Sequence, residues 1–362
     1  MASTSQSRSA RSSVTIREVA RRAGVSTATV SRALADPDRV AKATREAVFA
    51  AIAETGFTPN ASARSLRARS TKMVLALLPG IGNSFYTPIL NAVEEILSLA
   101  GYGMIMGDTR MDRAREAHYD VLVRAGQVDG VMLLTGRLPH PAFAGLDATV
   151  PITLICNDIP GIDGLPVIEI DNHDAAIALV RHLIDLGHRR IGHAIGPADN
   201  VEAGYRLAGY RAALAEAGLA VDESIVWPGA FRFDAGVEVA KRFLAHPDPP
   251  TAIFTSNDEM AMGFIRAVKD AGLRVPDDVS VAGFDDIEFA RYFDPALTTM
   301  HQPRAELGRI AAENMVARMA GRGGAPMRTR LKCTLVVRDS TAAPCSAAHR
   351  RRPTVKTAEV RV

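Results

Sequence analysis

Cysteine is scarce in this chain of 362 residues: Cys156, Cys333 and Cys345 are scattered and form no CxxC pair. That excludes a disulfide-stapled scaffold and a thiolate metal centre, and it predicts free thiols in a reducing, cytoplasmic setting. No apolar run approaches the roughly 18 residues that a membrane span needs. Met1 to Ser13 is rich in Ser and Arg with no apolar stretch, which excludes a secretory signal and reads as a flexible basic arm. Phosphate-cradling motifs are missing as well. Gly80-Ile-Gly82-Asn-Ser-Phe85 lacks the third glycine of a dinucleotide loop, and no GxxxxGK[ST] exists. There is no GxSxG elbow. His173, His182, His188 and His193 fall close together without metal-ligand spacing. An enzyme, a cofactor and a resident metal are therefore not expected.

What is present is an uneven charge distribution. The first 72 residues hold 13 Lys and Arg against 5 Asp and Glu, a net of +8, while the remainder carries a net of −5. A basic head on an acidic body points to nucleic acid as the partner of one end.

That head reads as three short helices over residues 14–58. Thr15-x-x-Glu18 is expected to form a capping box for the first. Gly24 permits a tight turn and Ser26 caps the second helix, with Val30 and Leu34 turned to a small core. A third helix runs from about Ala43 to Thr55, with Val48 and Ile52 inward and Gly56 ending it. Small Ala20 lets the first two helices cross closely, giving a helix-turn-helix unit. Such a unit presents the start of its second helix to base edges in the major groove, here Thr27 and Ala28, with Arg32 one turn on. Arg32 suits bidentate contact with guanine. Thr15, Arg21, Arg22, Ser31 and Lys42 are phosphate-contact candidates or simply solvated side chains. Residues 59–71 follow as a hinge. Asn60-Ala-Ser-Ala-Arg-Ser-Leu66 is too short to hold a helix by itself in water. Ala63 and Leu66 share one face, so Leu66 suggests an apolar wedge for the minor groove, with Asn60 and Arg64 toward phosphate.

From residue 72 to 341 the texture changes to apolar strands alternating with amphipathic helices. Strands are expected at Met73–Leu78, Gly103–Gly107, Gly130–Leu134, Ile152–Cys156 and Val167–Ile170. A second series follows at Arg190–Ile195, Ile225–Pro228, Thr251–Thr255 and Val279–Gly283. Helices fill the intervals, among them Tyr86–Ala100, Asp174–Leu186, Ala208–Ala217, Asp234–Leu244 and Glu259–Ala271. This alternation predicts two lobes, each a parallel sheet covered on both faces. Residues 342–362, with Arg350-Arg-Arg352, read as a disordered basic tail.

In a two-lobed α/β core, small ligands sit where the carboxyl ends of the strands face one another. Asn257, Asp258, Asp285 and Asp286 all follow strands, and Arg206 lies just past Gly196. Phe231 and Phe85 are the ring candidates. Asp258 and Asp286 are expected to cap helices rather than touch a ligand.

From Thr15 to Thr341 the chain resembles the lactose-repressor family of bacterial transcription regulators. The segments that carry the likeness are TIREVARRAGVSTATVSRAL, PNASARSLR, GHRRIGHAIGP, YRLAGYRAAL, SNDEMAMGFIRAVKDAGLRVPDDVSVAGFDD and PALTTMHQP. The pattern from Phe231 to Gly236 and LPVIEIDN run toward its cytidine-repressor branch. The resemblance implies a helical headpiece, a hinge helix and a core shaped like periplasmic sugar-binding proteins. It also implies a homodimer on a near-palindromic DNA operator, responding to a small effector. Arg206, Asn257 and Asp285 match positions that hydrogen-bond sugar or ribose hydroxyls, while Phe231, Phe85 and Tyr86 match stacking or lid positions. Thr135, Asn157 and Glu202 match variable specificity positions. The branch suggests a nucleoside effector, with a pentose or other sugar as the alternative. Ala41 departs from the family, which usually places a capping Ser there. A solute-binding protein without a DNA role is the alternative reading of the core, and the headpiece argues against it.

Overall fold

A computed structural model describes residues 14–58, 70–135, 150–156, 164–322 and 327–345. The hinge positions Asn60, Ala63, Arg64 and Leu66, and the cleft position Asn157, lie outside the described residues. The chain divides into two units at Thr71/Lys72.

The first unit holds α1 (Ile16–Ala23), α2 (Thr27–Ala35) and α3 (Lys42–Thr55). Val19, Ala20, Val30, Ala33, Val48 and Ala51 form its core, with Leu34 and Ile52 packed at the margin. Gly24 and Gly56 end α1 and α3 at φ of 64° for each, a left-handed conformation that glycine adopts without a Cβ penalty. Ser26 caps α2 by accepting from the Thr29 amide at 3.1 Å. The capping box at Thr15 does not form: the Thr15 side chain makes no cap bond. Glu18 instead takes two hydrogen bonds from Arg21, at 3.0 and 2.5 Å, because a charge-assisted fork outcompetes a single backbone amide. Ala41 precedes α3 with no side-chain cap.

The second unit has two parallel sheets. The strands of the first are β1 (Met73–Leu78), β2 (Gly103–Asp108), β3 (Gly130–Leu133), β4 (Ile152–Ile155), β5 (Val167–Ile170) and β11 (Arg328–Leu331). They lie in the order β11-β5-β4-β3-β1-β2. β1 is apolar throughout because both its faces are covered. Val74, Ala76 and Leu78 meet Ile89, Val93 and Leu97 of α4 (Thr87–Leu99). Leu75 and Leu77 meet Val123 of α5 (Arg113–Arg124) on the other face. Each fully buried aliphatic of this kind stabilises the fold by about 1.5–3 kcal/mol.

The second sheet comprises β6 (Ile191–Ala194), β7 (Val226–Trp227), β8 (Ala252–Thr255) and β9 (Ser280–Ala282), in the order β7-β6-β8-β9. It is flanked by α6 (Asn172–Asp185), α7 (Val201–Glu216), α8 (Phe233–Ala245) and α9 (Asp258–Asp270). α7 begins seven residues before the expected Ala208, because Asn200 caps it by accepting from the Ala203 amide at 2.9 Å.

The two lobes are not successive in sequence. After β9, β10 (Thr299–His301) leads into α10 (Arg304–Met319), which returns to pack on α4 and β4 of the first lobe. Gly308 makes that approach possible, since a Cβ there would stand 2.3 Å from the Ile89 carbonyl oxygen. The chain then adds β11 to the first sheet, and β12 (Thr334–Val336) pairs antiparallel with β10. The expected series of five and four strands thus become sheets of six and four, with a separate two-stranded ribbon. The ordered chain also runs past Thr341. The Ala342 carbonyl accepts from Ser280 Oγ at 3.1 Å, and its amide donates back to that hydroxyl at 3.0 Å. Ala342, expected to open the basic tail, is thus bonded to the second lobe; residues 346–362 lie outside the described residues. Among the described residues no helix is long and apolar enough to cross a membrane.

Candidate functional site

Two surfaces carry the chemistry. On the first unit, Thr27, Ala28 and Arg32 are all exposed on α2. Among the described residues Arg32 has no ion-pair partner. Thr15 and Lys42 are exposed and Ser31 is partly buried. Arg21 and Arg22 are engaged inside the headpiece: both pair with Glu18, and Arg22 also reaches Glu54. Contact with phosphate would have to draw them from these partners.

On the second unit, the polar residues converge at the carboxyl ends of the strands. Arg206 rises from α7 and is almost fully buried. Its Nε donates to Asn172 Oδ1 at 2.8 Å, and its Nη1 donates to the Ser256 carbonyl and stands 3.7 Å from Asp285 Oδ1. The guanidinium lies 3.9 Å from the Phe284 ring centre and 5.7 Å from that of Phe231. Asp285 follows β9 with φ of 115°, a backbone conformation rarely seen outside glycine. Gln302 Nε2 donates to its Oδ1 at 2.7 Å. Burial pushes the Asp285 carboxyl up, Arg206 and Arg304 pull it back, and the balance is about 6.

Phe231 also has a positive φ, 55°, and its ring packs on Gly196, where a Cβ would stand 2.4 Å from Cζ. Asn257 holds the Phe231 backbone: its Nδ2 donates to the Phe231 carbonyl at 3.2 Å while its Oδ1 caps α9 through the Met260 amide. Both ends of that side chain are thus occupied within the protein. From the first lobe come Phe85 and Tyr86, edge to face with ring centres 5.1 Å apart. Thr135, following β3, is buried.

Glu202 stands one turn before Arg206 on α7, and burial raises its carboxyl to about 7 despite the pull of Arg206. Burial also raises the Tyr86 hydroxyl and the Cys156 thiol well above their usual ranges, and both feel the Glu202 and Asp285 charges. Groups from both lobes therefore share one low-dielectric site.

Asp258 and Asp286 do not cap helices as expected, though neither side chain is free. Asp258 takes the Ile287 amide at 2.8 Å and the Thr299 hydroxyl at 2.5 Å. Asp286 is held by His301 at 2.9 Å and Arg338 at 2.6 Å; burial would raise its carboxyl, but those two donors outweigh it and hold it low. Asn172, Phe284, Gln302 and Arg304 were not legible as site residues. Only Phe284, adjacent to Asp285, left a signal by its position.

The family match now decides the identity. Residues 15–60 match the model of bacterial regulatory proteins of the lacI family, and residues 180–341 match the periplasmic binding protein-like domain. The HTH-type transcriptional repressor CytR of Escherichia coli (strain K12) is 37% identical over 329 residues, covering 91% of this chain and 96% of that protein. The chain belongs to the LacI family. The repressor PurR of Photobacterium profundum is 35% identical over 327 residues, covering 90% of this chain and 98% of that one. Among solved structures, the lac repressor dimer bound to operator and the anti-inducer ONPF aligns at a TM-score of 0.78 with 28% identity, over 91% of this chain and all of that one. A transcriptional regulator CelR–cellobiose complex aligns at 0.70 with 34% identity, over 90% of this chain and 99% of that one. This LacI-family protein is a DNA-binding repressor with an effector-binding core, and its relatives are repressors rather than enzymes.

Proposed function

We propose that this repressor grips a near-palindromic operator as a homodimer and is switched by a small polyhydroxylated metabolite held between the lobes of its core. The observation that carries the reading is the buried Arg206–Asp285 pair, 3.7 Å apart, with the Arg206 guanidinium 5.7 Å from the Phe231 ring centre. A cation and a carboxylate beside an aromatic face supply the donors, acceptor and stacking surface that a ring bearing vicinal hydroxyls needs. Likeness to CytR favours a nucleoside, and the cellobiose-bound relative keeps a sugar as the second reading.

The homodimer reading rests on an apolar surface of the second lobe. Phe233, Phe289 and Tyr292 are 47%, 58% and 72% exposed. Phe233 and Phe293 border a groove of about 800 Å³ that Val237 and Met262 also line. Large aromatics left exposed on one lobe mark an interaction surface, and a second copy pairs like with like across a two-fold axis. Effector binding would change the closure of the two lobes and thereby the spacing of the paired hinge segments at 59–71. Differential affinity of the effector for the two states is the only source of that shift. Isothermal calorimetry of the full-length protein against a panel of nucleosides, pentoses and hexoses tests the effector class. Heat from at least one of them, lost in Arg206→Ala, is the expected result.

A further inference from the structure

One buried arginine at the edge of the effector site touches both lobes. Arg304 opens α10, where the chain crosses from the second lobe back to the first, and it is 8% exposed. Its Nη2 donates to the Asp286 carbonyl of the second lobe at 2.6 Å. Its Nη1 reaches the Phe85 carbonyl of the first lobe at 3.4 Å, and the guanidinium lies 5.8 Å from the Phe85 ring centre. Its Nε is buried and has no hydrogen-bond partner among the described residues.

Both contacts end on the effector site. Asp286 is the peptide neighbour of Asp285, and both have positive φ, 115° and 53°. That strained pair is also held by its side chains and one amide. Gln302 grips the Asp285 side chain, and His301 and Arg338 grip that of Asp286. The Asp285 amide donates to the Met300 carbonyl at 2.9 Å. The two residues share one short strained turn in a packed interior, so a shift of the Asp285 carboxylate is passed along the backbone to the Asp286 carbonyl. Phe85 in turn lies in the short helix Ser84–Tyr86 that leads into α4. The Arg304 charge also lowers the Asp285 carboxyl, which places the two groups in one electrostatic neighbourhood.

We infer that Arg304 is a positioning residue for the effector response: its two-pronged guanidinium couples the Asp285–Asp286 turn to the Phe85–Tyr86 segment across the cleft. The inference rests on Asp285 being the effector-facing carboxylate. A lysine cannot replace it, because one ammonium on a flexible stem does not hold two divergent carbonyls in fixed geometry.

The test needs no effector. Hydrogen exchange of the full-length protein is followed at the amides of residues 84–90 after Asp285→Asn, with Arg304 native, changed to Met, or changed to Lys. With native Arg304, Asp285→Asn should change exchange in that first-lobe segment at least threefold. In Arg304→Met and Arg304→Lys the same substitution should leave it unchanged. A first-lobe response that persists in either variant overturns the coupling, as does a silent first lobe with Arg304 native. Should Arg304→Met fail to fold, the Lys variant decides the matter alone. Because no ligand is added, failure here is distinct from failure of the effector reading, which calorimetry tests separately.

Discussion

Arg206 and Asp285 approach within 3.7 Å, yet neither satisfies the other completely. The arginine spends its stronger hydrogen bonds on Asn172 and the Ser256 carbonyl, and the aspartate spends its own on Gln302. The pair is held in position by neighbours, with its facing atoms left at ion-pair distance. This is the arrangement expected of groups preorganised for a third party.

Arg206→Ala should reduce effector affinity by at least about tenfold, roughly 1.4 kcal/mol, while operator binding by the headpiece persists. Calorimetry against the responsive metabolite, run beside an operator-binding assay, checks both halves. A variant that responds normally would remove Arg206 from the site.

Glu202 gives a pH-dependent expectation. Its carboxyl is raised by burial to about 7 in the folded protein, against an ordinary value near 4.5. The folded state therefore holds a proton that the unfolded chain releases between those two values. Stability from this group is full below about pH 4.5 and is lost as pH rises through about 7. Glu202→Gln keeps the neutral form at every pH. It should match the parent near pH 4.5 and exceed it at pH 8, with a thermal midpoint a few degrees higher. Differential scanning at both values decides, and an offset independent of pH would contradict the assignment.

Much of this was legible in the sequence because its signals are local. The Ser26 cap, the Gly24 and Gly56 stops, and the all-apolar run Met73–Leu78 each follow from a few residues in their own segment. Arg206 and Asp285 stood out as charged residues past strand ends, and Phe231 as a ring beside them. What stayed hidden is held by distant partners. β11 reads Arg-Thr-Arg-Leu and has no strand-like apolar pattern. It enters the sheet beside β5, where Arg328 and Arg330 both bind the buried Glu169. Arg304 and Gln302 reach the cleft only because the chain crosses back between the lobes, which strand-helix alternation does not announce. The capping box failed for a related reason: Glu18 had a better partner on its own helix, in Arg21.

Leu66 lies outside the described residues, in the segment that the sequence reads as a hinge. Leu66→Ala should weaken operator binding at least about tenfold, because an inserted apolar wedge offsets the cost of unstacking a base step. Effector affinity should be unchanged. Equal operator affinity in parent and variant would eliminate the wedge.

A charge placed on the exposed aromatic surface should separate the subunits. Tyr292→Asp together with Phe289→Asp should shift the protein from dimer to monomer in sedimentation velocity, and operator affinity should fall with it, since one headpiece grips only a half-site. A double variant that sediments as a dimer would move the interface elsewhere.

The most direct measurement is fluorescence anisotropy of the full-length protein on duplexes drawn from the DNA upstream of its own coding sequence, at a fixed stated salt concentration, with and without the nucleoside and sugar panel. A saturable complex on at least one duplex, whose midpoint moves tenfold or more with one of those metabolites, is the predicted result. Binding that ignores every metabolite, or no binding to any of the duplexes even at low salt, would contradict a repressor controlled through its inter-lobe cleft.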